Sequence, residues 1–233
     1  MPAPLISNID VVRVTRIDGC GRPVCGPEAS YVTDCHASLQ MEANIDEGDD
    51  ITFKAGNGRQ CGYKKACPTF NNFDVTYTFF QASPELIELM TGSPVFYDYA
   101  GRPIGFDSCS IPCRSGFALE FWADVLGEDV CEDDAADGAW LYGIMPWITN
   151  GIIGDLELAG EAVNFTLTGA TRAGGKWGMG PYDVMAQDAA GTPGPMLAPL
   201  GSTCHRRIFT TTVEPPETST TYVPVAGELC EVS

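Results

Sequence analysis

Residues 168–180 read TGATRAGGKWGMG and set Lys176 among glycines, directly after the alternating run AVNFTLT. A lysine in a glycine loop behind a strand is the raw material of a phosphate cradle. That cradle requires Gly, four residues, Gly, Lys and then Ser or Thr, so that backbone N–H groups wrap the phosphates and the hydroxyl ligates magnesium. Ending on Lys176, the register puts Ala170 where glycine is needed and Trp177 where a hydroxyl is needed. The dinucleotide fingerprint fails as well: Gly178 and Gly180 have G-x-G spacing, but Pro181, Tyr182 and Asp183 follow without a third glycine. What remains is backbone freedom around an apolar anchor, Trp177, which suits an ordered loop at a packed surface.

Other reactive side chains do not assemble into a motif. The ten cysteines are Cys20, Cys25, Cys35, Cys61, Cys67, Cys109, Cys113, Cys131, Cys204 and Cys230, and no C-x-x-C occurs among them. Disulfides formed outside the cell, a zinc site built from loop cysteines and free thiols all fit that count. The two histidines, His36 and His205, each follow a cysteine directly. Neighbours on a strand point to opposite faces, so neither pair is a ready-made dyad. The expectation is a chain without catalytic residues, cofactor or metal, and not an enzyme.

The chain has 233 residues, 13 basic against 31 acidic, and a net charge of −18. Affinity for nucleic acid rests on neutralising phosphates with Lys and Arg, which this balance opposes; an anionic membrane surface would repel it too. The N-terminus has neither a basic region nor a continuous apolar run of the signal-peptide kind. The 17-residue uncharged run at 138–154 is too short and too broken by Gly and Pro for a membrane span. It reads as a buried strand, a turn and part of another strand.

Strand patterns dominate. They fall at 11–17, 37–43, 50–55, 73–80, 115–125, 140–147, 155–160, 161–171, 182–187 and 206–213. Phe73, Val75, Tyr77 and Phe79 alternate with Asp74, Thr76 and Thr78, and Phe117, Leu119 and Phe121 oppose Ala118, Glu120 and Trp122. DLEL and VNFTL flank Ala159, Gly160 and Glu161 as a hairpin. One helix is expected at about 83–91, with Ser83 as N-cap, Pro84 in the first turn and Gly92 closing it. The pattern is all-β, a sandwich or barrel with one flanking helix, long loops and an extended C-terminal arm. A single domain over 1–233 is expected, with an N-terminal arm at 1–10 and a C-terminal arm at 214–233.

Charge is unevenly placed. Asp46, Glu47, Asp49 and Asp50 form one acidic run, and 127–138 forms another. Between them Lys54, Arg59, Lys64 and Lys65 lie in a stretch without an acid, inside a connection at 54–72 that reads as a long loop. Loops beyond about 12–15 residues are uncommon unless functional.

The order SPELIELMTG, SGFALEFWADVLG, the long segment from WLYGIMPW to GMGPYDV, and GTPGPMLAPLG resembles the major tail tube proteins of long-tailed, siphovirus-type phages of actinobacteria. The resemblance covers roughly residues 40–213, and its most specific piece is LTGAT followed by WG-x-GPYDV. It implies a virion protein, made in the host cytoplasm. Hexameric rings of the chain stack into a hollow tube that delivers the genome, alongside tape measure, distal tail and terminator proteins. Six copies at −18 put −108 on each ring, so DNA passes through without specific binding. The resemblance makes the 54–72 loop an inter-ring contact through Lys54, Arg59, Lys64 and Lys65 against Asp46, Glu47, Asp49, Asp50 and the acids of 128–137. It makes Gly174, Gly175, Lys176, Trp177, Gly178 and Gly180 a loop at a subunit contact. The alternatives are another tail component, distal tail or terminator, and a secreted, disulfide-braced β-sandwich binding module. Burial of Trp122, Trp140 and Trp147 favours a scaffold, whereas exposed aromatic rows favour sugar binding. From the failed cradle register, equilibrium dialysis is expected to find no saturable ATP or GTP binding. Binding that Lys176→Ala abolishes would overturn that reading.

Overall fold

The structure is a computed structural model that describes residues 5–80, 83–108, 116–126, 139–154 and 164–226. It is mostly β. In chain order the elements are β1 (Leu5–Ile17), β2 (Gly26–Thr33), β3 (His36–Asp46), β4 (Ile51–Lys54), β5 (Gln60–Lys64), β6 (Thr69–Phe79), α1 (Pro84–Thr91), β7 (Val95–Tyr97) and β8 (Pro103–Phe106). They continue with β9 (Gly116–Leu126), β10 (Trp140–Ile153), β11 (Phe165–Thr171), β12 (Met185–Ala186), β13 (Pro193–Gly194), β14 (Arg207–Thr211) and β15 (Val223–Val225). Nine strands make one antiparallel sheet in the order β15-β2-β1-β9-β10-β11-β6-β3, with β14 beside β10. The pairs β4–β5, β7–β8 and β12–β13 form small separate sheets.

The run at 138–154 is not strand, turn, strand but the single strand β10. Its first half, Trp140 to Ile144, lies between β9 and β14, and its second half, Ile148 to Ile153, pairs with β11. The register against β9 slips between Met145 and Ile148, where Pro146 lacks the N–H that a ladder position demands. A bulge bends the strand there, and the bend hands β10 from one partner to another.

Both faces of the sheet's centre are buried. Val12, Val14, Val75, Tyr77, Phe79, Phe117, Leu119 and Phe121 line one face, joined by Leu86, Ile87, Leu89 and Met90 of α1. Val11, Ala118, Trp122, Tyr142 and Ile144 line the other, where Trp177, Val184 and Met196 of the 172–200 excursion cover them. The alternation at 117–122 therefore holds, with apolar cover on each side. Burying such side chains contributes about 1.5–3 kcal/mol each.

The helix α1 begins at Pro84 and ends on Gly92, whose φ of 72° lets its N–H reach Glu88 O at 2.8 Å. Ser83 stands at the N-cap as expected, in extended conformation with its carbonyl accepting Ile87 N–H at 3.0 Å, but its side chain makes no capping hydrogen bond. The expected N-terminal arm is corrected as well: residues 5–10 belong to β1, with Leu5 opposite Leu126 and Ile9 opposite Ala123. The C-terminal arm crosses the body. Thr221 Oγ1 donates to Glu85 Oε1 at 3.1 Å, Tyr222 Oη donates to the Glu88 carboxylate, and β15 then pairs with β2. The strand expected at 182–187 shortens to β12, and the turn at 159–161 lies outside the described residues.

One polar group of side chains sits inside the covered face. Arg13 and Glu120 are register partners across β1 and β9. Arg13 Nε and Nη2 donate to the two carboxylate oxygens at 2.7 Å each, a bidentate geometry that lysine cannot copy. Tyr142 Oη donates to Glu120 Oε1 at 2.6 Å, and the guanidinium lies 3.4 Å from the Tyr182 ring centre. Tyr182 in turn shares a hydrogen bond of 2.8 Å with Thr15. Burial pushes the Tyr142 and Tyr182 phenols up, so both stay protonated. Removing one partner of such a pair strands the other charge and costs about 3–5 kcal/mol, whereas exchanging both for apolar residues is often neutral. Urea denaturation of R13M is therefore expected to show a loss in that range. R13M/E120L should recover most of it; a loss in the double variant equal to that of R13M would contradict this account.

Candidate functional site

The expected 54–72 loop is largely ordered secondary structure. Lys54 ends β4, Arg59 sits in the turn, Lys64 ends β5, and β6 already begins at Thr69. Asn57 turns the chain by accepting Arg59 N–H at 3.1 Å, with Gly58 at φ +82°. The sequence pattern hid this hairpin because β5, QCGYK, alternates poorly and its turn reads as loop. Lys54, Arg59, Lys64 and Lys65 are all exposed, as are Asp46, Glu47, Asp49 and Asp50. The two sets border one another, but they do not all serve alike. Asp50 is occupied within the hairpin, accepting Tyr63 Oη at 2.5 Å and Ala66 N–H at 2.8 Å, and these bonds hold its carboxyl below the usual range. Asp46 Oδ1 accepts Gly48 N–H at 2.9 Å. Among the described residues, Glu47 and Asp49 accept no such bond. The acids of 128–137 lie outside the described residues.

The hairpin is also apolar on its surface. Ile51, Phe53 and Tyr63 are 48%, 61% and 54% exposed, with Ile45 and Phe70 exposed beside them. Among the described residues β4 and β5 pair only with each other, and β3 is an edge strand of eleven residues, paired on one side by β6. A long unpaired edge is a ready template for another strand.

The glycine run has a different use. Trp177 is buried in the covered face beside Tyr182, at the end of a 3-10 turn spanning Gly175–Trp177. A Cβ on Gly174 would come within 1.9 Å of Pro146 Cγ, and one on Gly175 within 2.6 Å of Ser202 Cα. Gly178 and Gly180 take φ of +65° and +87°. The chain's own packing thus explains these glycines, and in the run 168–180 only Thr168, Arg172, Lys176 and Met179 are exposed.

A polar cleft of about 480 Å³ opens between the ends of β6, β10 and β11, lined by Asn71, Asn72, Thr149, Thr171, Arg172 and His205. Thr171 Oγ1 accepts Phe73 N–H at 2.8 Å and lies 3.0 Å from His205 Nδ1. Burial lowers the His205 pKa, partly offset by its hydrogen bond to Thr171, so the ring is neutral at neutral pH. Sequence reading passed over this cleft because its residues come from four separated segments.

Cys25 is disulfide-bonded. Cys20, Cys61, Cys67 and Cys204 are exposed free thiols and Cys35 is a half-buried one; Cys109, Cys113, Cys131 and Cys230 lie outside the described residues. Among the described residues no three His, Cys, Asp or Glu side chains converge as metal ligands, and no helix is long and apolar enough to cross a membrane. No protein-family model matches the chain, and no curated protein matches it. Gly174→Ala is expected to lower stability by about 1–3 kcal/mol through overpacking against Pro146, read as a fall in thermal midpoint. An unchanged midpoint would contradict the packing role.

Proposed function

We propose that this chain is a self-assembling structural subunit of the phage tail-tube type, one that forms stacked hexameric rings around a negatively charged channel. The observation that carries this reading is the β4–β5 hairpin. It is an ordered element that pairs with no strand of the large sheet, presents Ile51, Phe53 and Tyr63 to solvent, and adds four cations to a chain of charge −18. Apolar area combined with basic charge on a projecting element suits a contact with an acidic, partly apolar surface. The open edge of β3 supports lateral association in the same way. Under this reading the chain performs no catalysis, holds no cofactor, and lets DNA slide past a surface that repels phosphate.

A second reading, the disulfide-braced binding module, is favoured by the Cys25 disulfide and by the β7–β8 hairpin. There Phe96, Tyr97 and Tyr99 are 56%, 50% and 98% exposed, an aromatic platform of the kind sugars stack on. Against it, Trp122 and Trp177 are buried and Trp140 and Trp147 half-buried.

Electron microscopy of the concentrated protein separates the two: rings or tubes are expected. The hairpin's part is tested by R59E/K64E/K65E. Each exposed pair contributes only about 0–1 kcal/mol, but contacts repeated around a ring compound. The triple variant should keep the thermal midpoint of the parent and fail to stack. A wild-type chain that sediments as a monomer at every concentration and salt, or normal tubes from the triple variant, would count against the proposal.

A further inference from the structure

Arg172 lines the cleft beside His205, and Arg206 follows His205 directly in the chain; among the described residues no carboxylate engages either arginine. The ion pairs among the described residues are Arg13–Glu120, Arg16–Glu88 and Arg102–Asp98; Arg172 and Arg206 belong to none. Each is nevertheless held in place. The Arg172 guanidinium lies 4.6 Å from the centre of the Trp147 ring, and that of Arg206 lies 4.2 Å from the centre of Phe73. A guanidinium stacked by its face keeps the N–H groups at its edge available for a planar anion. Asp74, the acid nearest the cleft in sequence, is held by amides: Asn72 Nδ2 donates to it at 2.8 Å and Asn44 Nδ2 at 3.5 Å. The neutral His205 adds no charge, so the cationic side chain of the cleft's lining is Arg172. Thr149 and Thr171 hydroxyls and the Asn71 and Asn72 amides supply further polar groups.

We infer that this cleft is a carboxylate-binding site, and that its ligand is an acidic side chain presented by a second copy of this chain. The ligand class follows from the fork of a guanidinium, which matches a carboxylate bidentately. The source follows from charge: the chain carries 31 acids against 13 bases. Glu47 and Asp49 stand exposed in a run whose other carboxylates, on Asp46 and Asp50, are already bonded within their own hairpin. Those two free acids do not reach Arg172 or Arg206 of the same copy. The identity of the donor rests on the self-assembly proposed above; the chemistry of the cleft does not.

The test is an NMR titration of the full labelled chain, kept dilute enough to stay monomeric, with the synthetic peptide NIDEGDDIT of residues 44–52. Shifts are expected at Asn71, Asn72, Thr171, Arg172 and His205. Affinity should fall at least tenfold in R172Q/R206Q, and likewise for a peptide whose acids are replaced by Asn and Gln. No shift at millimolar peptide, or equal affinity in R172Q/R206Q, would overturn the site. Inorganic phosphate that binds as tightly as the peptide and displaces it would overturn the assignment to a protein carboxylate. Because the readout uses monomer, a chain that forms no rings leaves it intact, and an unresponsive cleft leaves the tube reading standing.

Discussion

The Arg13–Glu120 pair is the constraint on which the arrangement of the sheet turns. A guanidinium and a carboxylate taken out of water are tolerable only face to face and fully bonded, and only one register of β1 against β9 sets them opposite each other. A slip of β1 by one residue would leave Arg13 and Glu120 on opposite faces. Tyr142 extends the requirement to β10 through the remaining lone pairs of Glu120, and Tyr182 extends it to the excursion that covers this face. Four separate segments are therefore tied to one ion pair.

The two halves of the structure differ in how completely they are covered. Around the pair, every large side chain has a neighbour, and Trp122, Tyr142 and Trp177 are almost wholly inside. In β4, β5 and the outer part of β3 most residues are exposed, Ile51, Phe53 and Tyr63 among them, whereas Leu39 and Met41 of β3 pack partly against the core. A rigid centre with an uncovered extension is the division of labour that a subunit requires, because the extension keeps its shape only if something fixes its base. Here that base is the β3–β6 ladder, anchored through Val75, Tyr77 and Phe79 in the core.

The all-β class, the lone helix and its glycine stop were legible in the sequence because they depend on local periodicity and φ preferences. The faces of 73–80 and 117–122 were legible for the same reason. What escaped depends on partners far along the chain. Arg13 reads as a solvent residue in VVRVTRI until Glu120 is placed across from it. Gly174 reads as loop flexibility until Pro146 is placed against it. β10 reads as two strands because Pro146 and Gly151 look like punctuation, whereas the sheet absorbs the first in a bulge and uses the second for the close approach of the Met90 carbonyl. The cleft was illegible altogether, since Asn71, Thr149, Thr171 and His205 share no local signal.

The closure of the sheet also sets an order of events during synthesis. β1 cannot be flanked until β9 exists, about a hundred residues later, and β2 keeps its outer edge open until Val223 and Val225 arrive to pair with Ser30 and Gly26. Contacts of such long range form slowly, and an unpaired edge on a half-made chain invites the wrong partner. The strap from Thr221 to Val225, tied to Glu85 and Glu88 on the helix, is thus the latest-made seam among the described residues. A ribosome that has not yet released residue 225 holds a chain whose sheet is still open at β2.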